Sequence, residues 1–207
     1  MSNIDLAIAV EWVKRSAEVI NAEKHYLTEL DAAIGDSDHG ENMARGFSAV
    51  NAKISANEPA DISSLFKTVS MTLITTVGGA SGPLYGTLFL EMSKKTAGKQ
   101  VLTVADWHEA LEAGIAGVVA RGKAELQDKT MIDALVPACK ALQDNEDKPL
   151  KEALTLSAEA AKAGVDATIP LVARKGRASY LGERSVGHQD PGATSSWLLL
   201  KTLSEVV

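Results

Sequence analysis

The chain has 207 residues, a formal net charge of -6, 45% hydrophobic residues and only 4% aromatic ones. That length suits one domain, residues 1–207, whose core is drawn mainly from Ala, Leu, Val and Ile, a composition that favours close-packed helices over a β-sandwich. An acidic balance with no run of Lys or Arg argues against nucleic acid as the main ligand, and no apolar stretch reaches the length of a membrane span. Cys139 is the only cysteine, so an internal disulfide and a cysteine-ligated zinc site are both excluded. The start Met1-Ser2-Asn3-Ile4-Asp5 lacks the basic and apolar regions of a signal peptide, which makes a cytoplasmic location the expectation.

Leu6, Val10, Val13, Ala17 and Ile20 recur at helical spacing and predict a first helix from about Asn3 to Leu30, broken near Asn21. An irregular aspartate-rich loop follows. Met43, Phe47, Val50 and Ile54 mark a second helix. A third begins near Ser63 and ends at the cluster Gly78-Gly79-Ala80-Ser81-Gly82-Pro83. The fourth starts around Pro83, which a first helical turn tolerates because that turn needs no N–H donors. Thr103 and Asp106 resemble a capping box for a fifth helix, with Asp in place of the usual Glu. A sixth carries Met131, Leu135 and Leu142 and is expected to kink at Pro137. The seventh spans about Pro149 to Ala167. Asp190-Pro191 offers an N-cap and a first-turn proline for the last helix. No segment alternates with period two, so the expectation is an all-α bundle of about eight antiparallel helices without a sheet.

Asp31, Asp36 and Asp38 place three carboxylates within eight residues of the loop. They repel one another unless a cation lies between them, and Mg²⁺ is commonly held by carboxylates together with substrate phosphates. The cluster Gly78–Gly82 has the chemistry of an anion cradle, because glycine lets backbone N–H groups approach phosphate oxygens at a helix start. It lacks the lysine of the strand–loop–helix phosphate motif. In an antiparallel bundle alternate loops gather at one end, so the aspartate loop, the glycine cluster, the Asp128-Lys129-Thr130-Met131 turn and the stretch Arg174–Gly192 are expected to share a rim. Arg174, Lys175, Arg177 and Arg184 are candidate phosphate or base contacts. His39 and His188 are either phosphate contacts or loop packing. His25 and His108 have no acidic or cysteine partner at ligand spacing, Cys139 reads as a buried inert thiol, and Trp12, Trp107 and Trp197 read as core.

Four ordered motifs carry a resemblance. Gly35-Asp36-Ser37-Asp38-His39-Gly40-Glu41-Asn42, Gly78-Gly79-Ala80-Ser81-Gly82-Pro83-Leu84-Tyr85-Gly86-Thr87, Asp128-Lys129-Thr130-Met131-Ile132-Asp133 and Ala173 to Ser185 through Asp190-Pro191-Gly192-Ala193-Thr194-Ser195 together resemble the L subunit of dihydroxyacetone kinase, over essentially the whole chain. The resemblance implies a barrel of eight antiparallel helices with a nucleotide, ADP or ATP, at one end. It implies that Asp31, Asp36 and Asp38 hold two Mg²⁺ ions bridging the phosphates. His39, Gly40, Glu41, Asn42, Ala80 and Ser81 would line the phosphates. Gly122, Met131, Arg177 and Asp190-Pro191-Gly192 would enclose the rest of the nucleotide. The substrate, dihydroxyacetone, is expected on a histidine of a separate K subunit, so the catalytic base is not expected in this chain.

Ser37 stands where many members have glycine, and Leu126-Gln127 replaces a common Pro-Gly, which bears on loop geometry rather than on the ligand set. The family works in two modes. Either K and L are fused and ATP is an ordinary substrate, or a free-standing L subunit keeps its ADP while a phosphotransferase-system protein, the M subunit, rephosphorylates it in place. A chain ending soon after its last motif points to the second mode. The alternatives are an ATP-dependent triose or tetrose kinase subunit with exchanging ATP, and a non-catalytic nucleotide sensor that docks on a regulator protein.

Overall fold

The computed structural model describes residues 3–207; Met1 and Ser2, on which the 1–207 range and the reading of the N-terminus partly rest, lie outside them. In the described residues the chain forms α1 (Leu6–Ala22), α2 (Lys24–Ile34), α3 (His39–Ala56), α4 (Ile62–Thr76), α5 (Ser81–Lys95), α6 (Val104–Gly122), α7 (Ile132–Gln143), α8 (Leu150–Ala167) and α9 (Pro191–Val206), with a 3-10 segment at Arg177–Ser185. The helix expected from Asn3 to Leu30 is two helices. Asp5 caps α1 by accepting from the Ile8 N–H at 2.9 Å, and the break falls at Glu23, two residues past Asn21. The expectation of no sheet is also corrected: Ile4-Asp5 pairs antiparallel with Val101-Leu102. Two residues are too few to show a period, and the ladder serves to tie the N-terminal segment to the loop before α6.

Eight helices close into a ring. Each of α3 to α8 packs on its successor, α9 packs on α1, and α1 on α3. The connections, short except for the long one between α8 and α9, reverse direction at every step, so α3, α5, α7 and α9 all begin at one end, where α4, α6 and α8 finish. The ninth helix, α2, lies across the rim between α3 and α9. The cap at Thr103 forms as expected, with reciprocal Thr103 and Asp106 bonds. Pro137 sits inside α7 and cannot donate to the carbonyl of Asp133. Gly164 of α8 packs tightly against that carbonyl: a Cβ there would lie 2.0 Å from it.

Four of the nine aromatics cluster inside the ring. Trp12, Phe66, Phe89 and Trp107 have centroids 5.3 to 6.4 Å apart, mostly edge to face, the geometry that aromatic quadrupoles favour. Trp12 donates its indole N–H to the Leu199 carbonyl at 2.8 Å, fixing α1 against α9. Trp197, expected in the core, is half-buried with the Lys162 ammonium 5.5 Å from its ring centre. His108 does have an acidic partner: its Nδ1 lies 2.8 Å from Glu146 Oε1, on the loop after α7. Cys139 is buried beside it, with its thiol pushed up to about 12 by burial, so it is inert. No helix among the described residues is long and apolar enough to cross a membrane.

Candidate nucleotide site at the barrel rim

The four irregular segments do meet. They surround a cavity of about 400 Å³ at the end where α3, α5, α7 and α9 begin. Four positive helix ends therefore face one space. The N-cap residues Asp38, Ala80 and Met131 of α3, α5 and α7 make no side-chain cap bond, as those of α2 and α8 also do not, whereas α1, α4 and α6 are capped by Asp5, Asp61 and Thr103. The first N–H groups of α3 are taken by Asp31 and that of Ile132 in α7 by Thr130 Oγ1 at 3.2 Å, so α5 is the start whose N–H groups stay open to an anion. At α5 the Pro83 ring, third residue of the helix, removes a first-turn donor that helix geometry leaves unpaired in any case. Gly82 must lack a side chain, since a Cβ there would lie 2.3 Å from the Val77 carbonyl.

The acidic side of the cavity is built by α2 and the loop after it. Asp31, on the last turn of α2, is buried, and its Oδ2 accepts from the N–H groups of Asp38 at 2.8 Å and His39 at 3.1 Å. A carboxylate on one helix thus caps the start of α3 and pins the loop. Asp36 and Asp38 stay exposed, and one carboxylate oxygen from each of the three aspartates lies within 4.8 Å of the others. Three hard oxygen donors so close, open on the cavity side, fit a divalent cation such as Mg²⁺ that completes its shell with phosphate oxygens.

His39 joins three helix ends. Its Nδ1 is 3.2 Å from Ser81 Oγ on α5 and its Nε2 2.8 Å from Ser195 Oγ on α9. Burial holds its pKa below the usual value against the pull of Asp31 and Asp38, which favours a neutral ring. Tyr85 extends the network, with its hydroxyl 2.7 Å from Ser195 Oγ and 2.8 Å from Ser196 Oγ, and donating to the Gly192 carbonyl at 3.0 Å. Burial pushes the Tyr85 phenol up to about 12, so it keeps its proton. Asp190 caps α9 through the Ala193 N–H at 2.6 Å, and its complete burial pushes its carboxyl up to about 7.

Asp31, Asp36, Asp38, His39, Ala80, Ser81, Gly122, Met131, Arg177, Asp190, Pro191 and Gly192 all line the cavity. Gly40, Glu41 and Asn42 do not. Gly40 lies against α2, where a Cβ would be 2.0 Å from the Lys24 carbonyl, and Glu41 points outward to Lys24 Nζ at 3.2 Å. Asn42 is buried behind the glycine turn, beside Gly78, and accepts from Arg45. Of the other basic candidates, Lys175 lines the cavity but Arg174 and Arg184 do not, and neither does His188. Arg177 Nε lies 2.7 Å from Asp36 Oδ2.

Several lining residues escaped the sequence reading: Tyr85, Arg121, Lys129 and Thr130, with Ser195 behind them. All but Arg121 lie inside the motif stretches, but the partners of Tyr85, Lys129 and Ser195 include residues far away in sequence, and no spacing marks them. Arg121 looked like an ordinary polar residue of a helix end; its Nε donates to Thr87 Oγ1 on α5 at 2.7 Å.

Residues 33–205 match the model of the DAK2 domain family. The chain is 46% identical over 197 residues to the ADP-binding subunit DhaL of the PEP-dependent dihydroxyacetone kinase of Escherichia coli, with 94% of each chain covered. It is 45% identical over 208 residues to the ADP-binding subunit DhaL of the PTS-dependent enzyme of Lactococcus lactis, with full coverage of both. Among solved structures it resembles the dihydroxyacetone kinase of C. freundii in complex with AMP-PNP and Mg²⁺, with a TM-score of 0.77 and 26% identity over 99% of this chain. It spans only 35% of that longer protein. With motif order, ring of helices and whole-chain similarity in agreement, the chain belongs to the DAK2 domain family, together with the ADP-binding L subunits of dihydroxyacetone kinases.

Proposed function

We propose that residues 1–207 form one nucleotide-binding domain, the L subunit of a dihydroxyacetone kinase, which presents the γ-phosphoryl group of ATP to dihydroxyacetone held covalently on a K subunit. The observation that carries this reading is the facing of four helix N-termini, that of α5 with its first N–H groups open, and three clustered carboxylates across one cavity. Positive helix ends suit phosphates, and the carboxylates suit the cations that accompany them. The names of the relatives from E. coli and L. lactis, ADP-binding subunits of PEP- and PTS-dependent enzymes, support ADP as the resident nucleotide and a phosphotransferase-linked donor, in this reading the phosphorylated M subunit, that recharges it.

In this reading Asp31, Asp36 and Asp38 hold two Mg²⁺ ions, which when bound neutralise charge on the phosphoryl oxygens. The N–H groups at Ala80 and Ser81 orient the phosphate chain. His39, neutral and braced between Ser81 and Ser195, holds the ends of α3, α5 and α9 in register without adding a charge. Leu84, Val118, Met131 and Ile132 give the deeper wall an apolar surface suited to a nucleobase, between Gly122 and the Asp190-Pro191-Gly192 turn. Arg177 and Lys175 cover the opening and offset phosphate charge. Such transfer is mostly a matter of alignment and electrostatics, and the base that accepts the substrate proton belongs to the K subunit.

The test is the nucleotide content of the purified protein after long dialysis in Mg²⁺, read by denaturing it and resolving the supernatant by ion exchange. Near-stoichiometric ADP that becomes ATP on adding phosphorylated M subunit, and returns to ADP with K subunit and dihydroxyacetone, is the expected result. A protein that is empty and cannot be reloaded in Mg²⁺ overturns the assignment.

A further inference from the structure

Lys129 is 1% exposed, yet its charged end meets no solvent and the proposed chemistry gives it no task. Its backbone sits at φ 63°, a left-handed conformation that costs a non-glycine residue energy. The ammonium donates to three main-chain carbonyls: Ser185 at 2.6 Å, Leu171 at 3.1 Å and Ile169 at 3.5 Å. Those acceptors come from the two ends of one strap, the segment 169–187 that crosses the mouth of the cavity. Ile169 and Leu171 follow the C-terminus of α8, the negative end of a helix, where a cation is favoured.

The neck of this strap is closed by further bonds. Gly187 N–H donates to the Ile169 carbonyl at 2.8 Å, Ala173 N–H to Ser185 Oγ at 2.9 Å, and Arg174 N–H to the Asp128 carbonyl at 3.1 Å. Beyond the neck the strap is held weakly. Within the 3-10 segment only Ser185 is buried, Tyr180 is 85% exposed, and Gly176 and Gly182 take left-handed φ of 63° and 55° on either side of the tip. The tip nevertheless supplies Lys175, Gly176, Arg177 and Ala178 to the cavity. Three converging carbonyls repel one another unless one compact cation with three donors lies among them. Lysine provides that, and a planar guanidinium does not.

We propose that Lys129 is a positioning residue for nucleotide retention: by gathering Ile169, Leu171 and Ser185 at the neck it fixes the strap against the Asp128–Met131 wall and keeps Lys175 and Arg177 over the cavity. This rests on the nucleotide reading of the site. Lys129 touches the neck rather than the reacting atoms, so its effect is on how long the nucleotide stays.

The experiment compares wild type with Lys129→Met, which keeps chain length and removes the charge. It measures release of fluorescent ADP in Mg²⁺, Mn²⁺ affinity of the nucleotide-free protein, and residue-resolved amide exchange. Release about tenfold faster or more is expected, the scale of a lost charge-assisted hydrogen bond. Exchange should rise only within 169–187, and Mn²⁺ affinity should be unchanged or somewhat tighter as Arg177 is released from Asp36; a general packing defect would raise exchange in the helices and weaken Mn²⁺ as well. Equal release from both proteins overturns the inference, whereas wild type that retains no ADP overturns the site reading beneath it. Should the variant fail to fold, nucleotide-free wild type decides. Amides of Ala173, Arg174 and Gly187 protected like the helices support a neck built without ligand, and exchange as fast as at the strap tip refutes it.

Discussion

Arg177 places its Nε 2.7 Å from Oδ2 of Asp36, so a guanidinium from the strap occupies one of the three carboxylates that suit a cation. The pair is largely exposed, and such pairs contribute little to folding. Its consequence is competition. A divalent cation held at Asp36 in the nucleotide-free protein would compete with Arg177 for the same carboxylate, and Arg177 released from it would be free to meet phosphate when nucleotide binds.

Arg177→Ala therefore has opposite effects on metal and nucleotide. Mn²⁺ titration of the nucleotide-free variant, followed by electron paramagnetic resonance, is expected to show binding tightened roughly two- to fivefold, the equilibrium worth of an exposed pair. Retention of ADP falls in the same variant, with the melting temperature unchanged. Asp36→Asn loses both Mn²⁺ and nucleotide. Weakened Mn²⁺ binding in Arg177→Ala would show that the arginine assists the metal instead of competing with it.

Gly40 and Gly79 separate packing from ligand contact. A methyl at Gly40 meets the Lys24 carbonyl at 2.0 Å and Thr28 Oγ1 at 2.4 Å, so Gly40→Ala pushes α2 off α3 and costs about 1–3 kcal/mol of stability. A methyl at Gly79 has nothing within 4 Å, but that residue sits at φ 63° in the cavity wall. Gly79→Ala is expected to cost only about 1–2 kcal/mol through its backbone and to lose more in ADP retention than in stability. Urea titrations of the nucleotide-free proteins beside ADP release rates distinguish the two.

Ser37 and Gln127 hold φ of 65° and 70° without being glycine. At Gln127 the turn is imposed from outside: Asp133 Oδ1 accepts the Gln127 N–H at 2.5 Å and Asp128 Oδ2 the Glu125 N–H at 2.8 Å. Ser37→Gly and Gln127→Gly should each stabilise the nucleotide-free protein by up to about 1 kcal/mol, the left-handed strain relieved less the extra chain entropy of glycine. A melting temperature that falls in both variants would mean that the loops do not store this strain.

Asp190 gives a pH dependence with a definite sign. Burial is the main cause that raises its carboxyl to about 7, helped by Asp133 and Asp31 and opposed by the Ala193 N–H and Lys129. The folded state thus holds the proton more tightly than the unfolded one. The stabilisation is fully present below about pH 4 and is lost as pH rises to about 7. Asp190→Asn keeps a capping oxygen and removes the charge. Relative to wild type it should be near neutral in stability at pH 4 and stabilising by a few kcal/mol, on the order of magnitude, at pH 8, when both are measured without nucleotide or metal. A stability difference independent of pH would show that Asp190 ionises freely.

The all-helical class, the capped starts at Thr103 and Asp190 and the order of the four motifs were legible in the sequence, because each is written in residues a few positions apart: periodicity, cap spacing and glycine clusters are local. So was the expectation that alternate loops gather at one rim, which follows from short connections. What the sequence could not show is anything whose partner lies across the ring. The Ile4-Asp5 ladder needs Val101-Leu102, the His108 partner needs Glu146, and the brace from Ser81 through His39 to Ser195 and Tyr85 joins three helices. Motif membership likewise could not say that Gly40 and Asn42 support the rim from behind while Lys129 and Tyr85 line it. Residue type and spacing determine which chemistry is available. Only the closing of the ring decides which side of each motif faces the cavity, because packing fixes the rotation of each helix about its own axis.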